Sequence, residues 1–166
     1  MLLMTSINYE FRSLVQTEIN TPIDFVFKRI FDERIMKQWL SSPSLEFIGL
    51  VNVRGFKNEI GSQRKLVFAS RKGAKLEMLE TITAHKENKH LAFDLSDPYF
   101  NFHVDMKFEE NNGGTLISES IIGKSHNHFF NAMMRIFGGK SRKVKALQYA
   151  KLKEVLEGEY SLGEEE

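Results

Sequence analysis

Polar and apolar positions alternate with period two between residues 11 and 19. Phe11, Ser13, Val15, Thr17 and Ile19 fall on one side and Arg12, Gln16 and Glu18 on the other, the pattern of a half-buried strand. Asn20-Thr21-Pro22 then marks a helix start, with Thr21 expected as the N-cap and Pro22 in the first helical position. Phe25, Phe27, Ile30 and Phe31 follow at mixed helical spacing, so this helix is expected to be largely buried. Asp32 interrupts it, residues 35–40 make a second short helical piece, and Ser41-Ser42-Pro43 is a break.

From residue 45 to 122 the chain reads as β, with strands expected over 45–53, 63–70, 75–85, 90–96, 99–109 and 115–122. Asn111-Asn112-Gly113-Gly114 is the strongest hairpin signal, because Asn-Gly supplies the positive-φ residues of a tight turn. The strand over 99–109 has the cleanest phase. Phe100, Phe102, Val104, Met106 and Phe108 share one face, while Asn101, His103, Asp105 and Lys107 share the other, as in an antiparallel sheet with one buried and one wet side. After Ile122 the period changes. Phe129, Phe130, Met133, Met134, Ile136 and Phe137 suggest a short apolar helix, and Gly138-Gly139 a kink or break. A long helix is then expected over 141–157, with Val144, Leu147, Leu152 and Val155 near one face and Gly158 as C-cap.

A curved antiparallel sheet with one apolar face must cover that face, and the C-terminal helix is the element long enough to do so. The expectation is an α+β fold: a curved antiparallel sheet wrapped around a long C-terminal helix, with two short helices after the first strand. A pocket would lie between sheet and helix. The domain is expected over 11–158, preceded by an extension over 1–10 and followed by an acidic tail over 159–166.

Composition narrows the chemistry. The 166 residues carry 23 Lys and Arg against 22 Asp and Glu, a formal net charge of +1, which argues against a generic polyanion binder. The absence of cysteine removes disulfides, thiolate nucleophiles and cysteine-ligated metals. Fourteen Phe and seven Met suit a thick core or a core enclosing a cavity. Charge is segregated: residues 120–153 hold eight bases and no acid, and residues 154–166 hold six acids and no base. The apolar opening Met1-Leu2-Leu3-Met4 is too short for a signal-peptide core, and no stretch reaches the length of a membrane span, so a cytoplasmic protein is expected.

Two carboxylates fall in apolar phase, Glu80 in the series Leu76, Met78, Glu80, Ile82 and Glu119 in Ile117, Glu119, Ile121. A carboxylate on a buried face costs several kcal/mol unless it is paired or lines a wet cavity. Either both point into the pocket, to orient a polar ligand head or to act as weak candidates for acid–base catalysis, or they reach solvent through a phase slip at a bulge, or because the opposite face is the buried one. Lys65, in the phase of Gln63 and Val67, is a candidate partner for these carboxylates. Expected ligand contacts are Phe100, Phe102, Val104 and Met106 from one strand and Met78, Glu80 and Glu119 from two others. Phe130, Met133, Met134, Phe137 and Leu147 complete them from the helical region. The histidines His85, His90, His103, His126 and His128 lack metal-ligand spacing; His126 and His128 sit where they could flank a pocket mouth. Gly139-Lys140-Ser141 lacks the upstream glycine of a phosphate loop, and neither a nucleophile elbow nor a dinucleotide fingerprint is present. No metal and no cofactor are expected.

The chain resembles the START/birch-pollen-allergen (SRPBCC) superfamily, and within it the polyketide-cyclase/dehydrase-like group of small bacterial proteins. The resemblance rests on Glu18-Ile19-Asn20-Thr21-Pro22-Ile23-Asp24-Phe25-Val26-Phe27, on Phe31-Asp32 and Trp39, on Gly61-Ser62, and on the closing helix from Ala146-Leu147 through Leu152 to Gly158. It implies the helix-grip fold and binding of a hydrophobic small molecule such as a lipid or polyketide-like compound, for transport, storage or sensing. Two alternatives stay open, a cyclase/dehydrase-type enzyme and a chaperone- or partner-binding module. The bases beside Phe129, Phe130, Met133, Met134 and Phe137 fit peripheral contact with an anionic membrane, a pocket lid over 124–139, or a homodimer face. They also fit the solvated back of a helix. Nucleic acid is not an expected partner, because the aromatics look committed to the core.

Overall fold

The structure is a computed structural model that describes residues 10–125 and 128–163, with the backbone alone for 128–141. The expected order is observed. Strand β1 (Glu10–Ile19) is followed by helices α1 (Ile23–Arg29) and α2 (Glu33–Trp39). Six strands come next: β2 (Leu45–Arg54), β3 (Gln63–Ser70), β4 (Lys75–Lys86), β5 (His90–Ser96), β6 (Phe100–Asn111) and β7 (Gly114–Ser125). Helix α3 (His128–Gly163) closes the chain. The strands form one antiparallel sheet in the order β1-β7-β6-β5-β4-β3-β2. The β6–β7 turn is the expected one: Asn112 and Gly113 both have positive φ, and Asn111 pairs with Gly114. This is the helix-grip fold.

One face of the sheet carries the core. Ile82, Leu91, Phe93, Val104, Met106, Phe108, Ile117 and Ile121 are buried there, packed against Val26, Phe27, Ile30 and Phe31 around α1, Ile35 and Trp39 of α2, and Tyr149, Leu152 and Leu156 of α3. A smaller cluster of Met36, Phe47 and Leu66 fills the end under β2 and β3.

Helix α1 starts one residue later than expected. Pro22 is its N-cap and carries no capping hydrogen bond, whereas Thr21 is buried and its carbonyl accepts from Thr115 Oγ1 at 2.7 Å. Tying Thr21 to β7 removes it from capping. Asp32 separates α1 from α2 as expected, and its side chain accepts from Arg34 N at 2.9 Å.

Two further expectations about α3 are corrected. Its backbone is continuous through Gly138 and Gly139, so these glycines do not break it. Each glycine costs a helix only about 1 kcal/mol, less than a long run of flanking helix formers supplies. Gly158 is not a C-cap either, because the helix runs on to Gly163. Contacts with the two short helices hold that last stretch: Glu159 pairs with Arg34, and the Tyr160 ring stands edge-on to Phe25 at 5.2 Å. Glu157 also accepts from Asn20 N at 2.7 Å.

The buried face of α3 also differs from the expected one. Tyr149, Leu152 and Leu156 are buried, while Leu147 is 65% exposed. Residues 145, 149, 152 and 156 follow the i, i+4, i+7, i+11 stripe of one helix face, and residue 147 lies about 200° from residue 149. Leu147 is therefore on the outer surface and not against the sheet. Leu152→Ala should cost about 3 kcal/mol as a cavity in the core, and Leu147→Ala should stay within about 0.5 kcal/mol, as read from urea denaturation midpoints.

Candidate functional site

Strand register decides where the two carboxylates point. Glu80 pairs with Leu95, which pairs with Phe102; Glu119 pairs with Met106, which pairs with Leu91. Directly opposed residues share a face of the sheet, so both glutamates lie on the core face. Their residual exposures are 1% and 3%. Each is met by a cation.

The partner of Glu80 is Arg64, not Lys65. Arg64 stands directly across from Glu80 in the β3–β4 register, and its Nε donates to Oε1 at 2.5 Å and its Nη2 to Oε2 at 3.3 Å. The guanidinium also lies 5.8 Å from the centre of the Phe31 ring. Lys65 is on the opposite face, where its Nζ donates to Glu77 at 2.8 Å. That hydrogen bond, and then the lysine charge, hold the Glu77 carboxyl below its ordinary range.

Glu119 is met from across the core. Lys145 of α3 places Nζ 3.1 Å from Oε1, and the properly directed hydrogen bond goes to Oε2 at 3.4 Å. The same ammonium lies 5.7 Å from the Tyr149 ring centre, and the Tyr149 ring lies 5.7 Å from that of Trp39. Burial, and then the Glu119 charge, push the Tyr149 phenol well above its ordinary pKa. Within this group Trp39 Nε1 is buried with no hydrogen-bond partner among the described residues, while the Tyr149 hydroxyl has the Glu119 carboxylate and Glu119 Oε1 has the Lys145 ammonium beside it. The group thus offers an indole donor, a carboxylate acceptor and a phenol that can do either.

The other expected site residues fall in different surroundings. Val104 and Met106 are buried in the core. Phe102 packs on the edge of the core and stacks with Phe100 at 5.8 Å, and Met78 is half-buried opposite Leu66. Phe130, Met133, Met134 and Phe137 lie outside the described side chains, as do His126 and His128. His90 Nε2 lies 2.9 Å from Asp105 and His103 Nδ1 lies 2.7 Å from Asp94, both pairs on the outer face of the sheet. His85 leans on Phe27 at 5.6 Å. No group of three or more His, Asp or Glu among the described residues is placed to hold a metal, and no helix among them is long and apolar enough to cross a membrane.

The sequence reading missed Arg64, Lys145 and Tyr149. The i, i+4 spacing of Lys145 and Tyr149, in register with Leu152 and Leu156, was the available signal for the last two.

Two measurements follow. Removing Arg64 alone strands a buried carboxylate, so Arg64→Met should cost about 3–5 kcal/mol in denaturant unfolding, with most of it recovered in Arg64→Met/Glu80→Leu. Lys65→Ala should cost less than about 0.5 kcal/mol. Because the folded Tyr149 binds its proton more tightly than the unfolded chain does, stability is intact below the unfolded tyrosine pKa, about 10, and is lost as pH rises above it. In a phenolate absorbance titration, Tyr149→Phe should remove the step that coincides with alkaline unfolding.

No protein-family model and no curated protein sequence matches the chain. Solved structures do. Protein NE0264 from Nitrosomonas europaea is 13% identical over 89% of this chain and 95% of its own, with a TM-score of 0.70. Protein TTHA0849 from Thermus thermophilus is 17% identical over 88% of this chain and 97% of its own, with a TM-score of 0.68. Ara h 8.0201 is 14% identical over 89% of this chain and 97% of its own, with a TM-score of 0.65. At these identities the likeness establishes a shared fold: the chain is a helix-grip protein of the architecture seen in Ara h 8.0201.

Proposed function

We propose that this protein binds a hydrophobic small molecule carrying a hydroxyl or carbonyl group between the core face of its sheet and α3. The observation that carries this reading is the group of buried polar side chains Trp39, Glu119 and Tyr149, embedded among apolar side chains, in which Trp39 Nε1 has no hydrogen-bond partner among the described residues. A buried polar atom without a partner costs about 1–3 kcal/mol. A ligand carbonyl that accepts from Trp39 relieves that cost, and a ligand hydroxyl can donate to Glu119. The apolar body of such a ligand would lie against the β6 residues Phe102, Val104 and Met106. The resemblance to the polyketide-cyclase-like group supports the same ligand class. Lys145 holds the carboxylate in place from α3, which suits positioning of a polar head.

The chain's single tryptophan sits in the proposed site and reports on it directly. Native mass spectrometry of the purified full chain should retain an apolar mass. On protein stripped of it, 1-decanol should change Trp39 emission saturably, about tenfold more weakly in Tyr149→Phe or Glu119→Gln, as expected for one lost hydrogen bond. An apo mass together with an emission that does not saturate would overturn the reading.

A further inference from the structure

Arg64 also lines a second place. A cleft of about 300 Å³ opens between the β2–β3 loop and the end of the sheet, walled by Leu50, Asn52, Phe56, Lys57, Arg64 and Ile82, among others. Small-molecule sites begin near this size and combine apolar walls with a few convergent polar groups.

Three features mark the cleft as built. The first is the unspent part of Arg64. A guanidinium has five N–H groups. Glu80 accepts from Nε and from Nη2, which leaves the far edge, with both hydrogens of Nη1 and one of Nη2, unclaimed by any described residue. That edge matches a second carboxylate in bidentate geometry. Glu80 is itself almost wholly buried, so the arginine is held from behind and aimed.

The second is the loop, whose shape is fixed before any ligand arrives. Gly55, Asn58 and Gly61 all have positive φ, and a Cβ at Gly55 would meet Ser62 Cβ at 3.0 Å. Gly61 N donates to Ile82 O at 2.8 Å and Ile82 N to Ser62 O at 3.1 Å, which ties the loop to β4. Glu59, the loop's own carboxylate, accepts from Phe56 N at 3.3 Å and is not among the cleft walls.

The third is Phe56, 78% exposed beside this opening. A ring that exposed recovers hydrophobic free energy when something apolar covers it. Charge agrees with geometry: Lys57 and Arg64 against Glu80 leave the cleft one positive charge in excess.

We infer that this cleft is a separate binding site for a small monocarboxylate with an apolar tail. The carboxylate sits on the far edge of Arg64 and near Lys57, and the tail lies between Phe56, Leu50 and Ile82. The inference does not rest on the reading given under Proposed function, which concerns Glu119 and α3.

The test is a titration of the ¹⁵N-labelled full chain with phenylacetate and with its neutral isostere phenylacetamide. Phenylacetate should shift the backbone amides of residues 52–64 saturably and bind about tenfold or more tightly than the amide, the worth of one charge-assisted pair. Phe56→Ala and Lys57→Gln change exposed side chains, leave the fold intact, and should each weaken phenylacetate about threefold or more. Absence of saturable shifts in 52–64, equal binding of the two compounds, or unchanged affinity in both variants overturns the inference. So do shifts confined to β7 and α3, which would assign the carboxylate to the other site.

Discussion

A carboxylate taken out of water must bring a cation with it, and this sheet buries two. Much of the internal arrangement answers to that constraint. Glu80 is neutralised within the sheet, by the residue directly across from it. Glu119 lies on β7 between β1 and β6, strands that supply Val15 and Met106 as its direct neighbours, so nothing in its own row can serve it. Its cation comes from α3, and the helix must present residue 145 to the sheet. Once Lys145 faces inward, helical geometry puts Tyr149, Leu152 and Leu156 against the core and turns Leu147 to solvent. The ion pair and the apolar stripe therefore specify the same rotation of α3.

The two pairs differ in what they leave over. Arg64 and Glu80 share two hydrogen bonds and a ring face, and both are held by neighbouring strands. Lys145 reaches Glu119 from a separate element, with a directed bond to Oε2 and an ion-pair contact to Oε1, and Trp39 Nε1 nearby has no partner among the described residues. A core built only for stability would satisfy that atom or replace it with an apolar one.

The strands were legible because each hairpin carries its own punctuation. Asn112-Gly113 fixes the β6–β7 register, and the period-two phase of β6 then names its buried face without reference to the rest of the chain. Glu80 and Glu119 were found the same way, as charges standing in an apolar phase. What the sequence hid was the phase of elements whose own pattern is ambiguous. In β3, Gln63, Lys65 and Val67 read as plausibly inward as Arg64, Leu66 and Phe68, and only pairing with β4 decides. β2 carries two irregularities, between Phe47 and Gly49 and between Asn52 and Arg54, that shift its phase within one strand. In α3, leucines at 147, 152 and 156 cannot all share one face, and a lysine and a tyrosine hold two of the inward positions. Apolar counting alone chooses wrongly there, because a buried carboxylate elsewhere in the chain has requisitioned a basic position.

The same logic explains why charge segregation along the sequence misleads. The acid-free stretch over 120–153 reads as a basic surface, yet Lys145 within it is spent on a buried carboxylate 26 residues earlier. In the acid-rich end Glu157 accepts from Asn20 N and Glu159 pairs with Arg34, so its first part anchors α3 beside the two short helices. Both ends of the described inward face of α3 are thus tied by ionised or charge-assisted contacts, at Lys145 and at Glu159, with Tyr149, Leu152 and Leu156 packed between them. Apolar packing alone lets a helix slide or rotate by small steps at little cost, whereas a directed contact at each end penalises both motions. The group around Tyr149 is therefore held in a fixed position over the sheet.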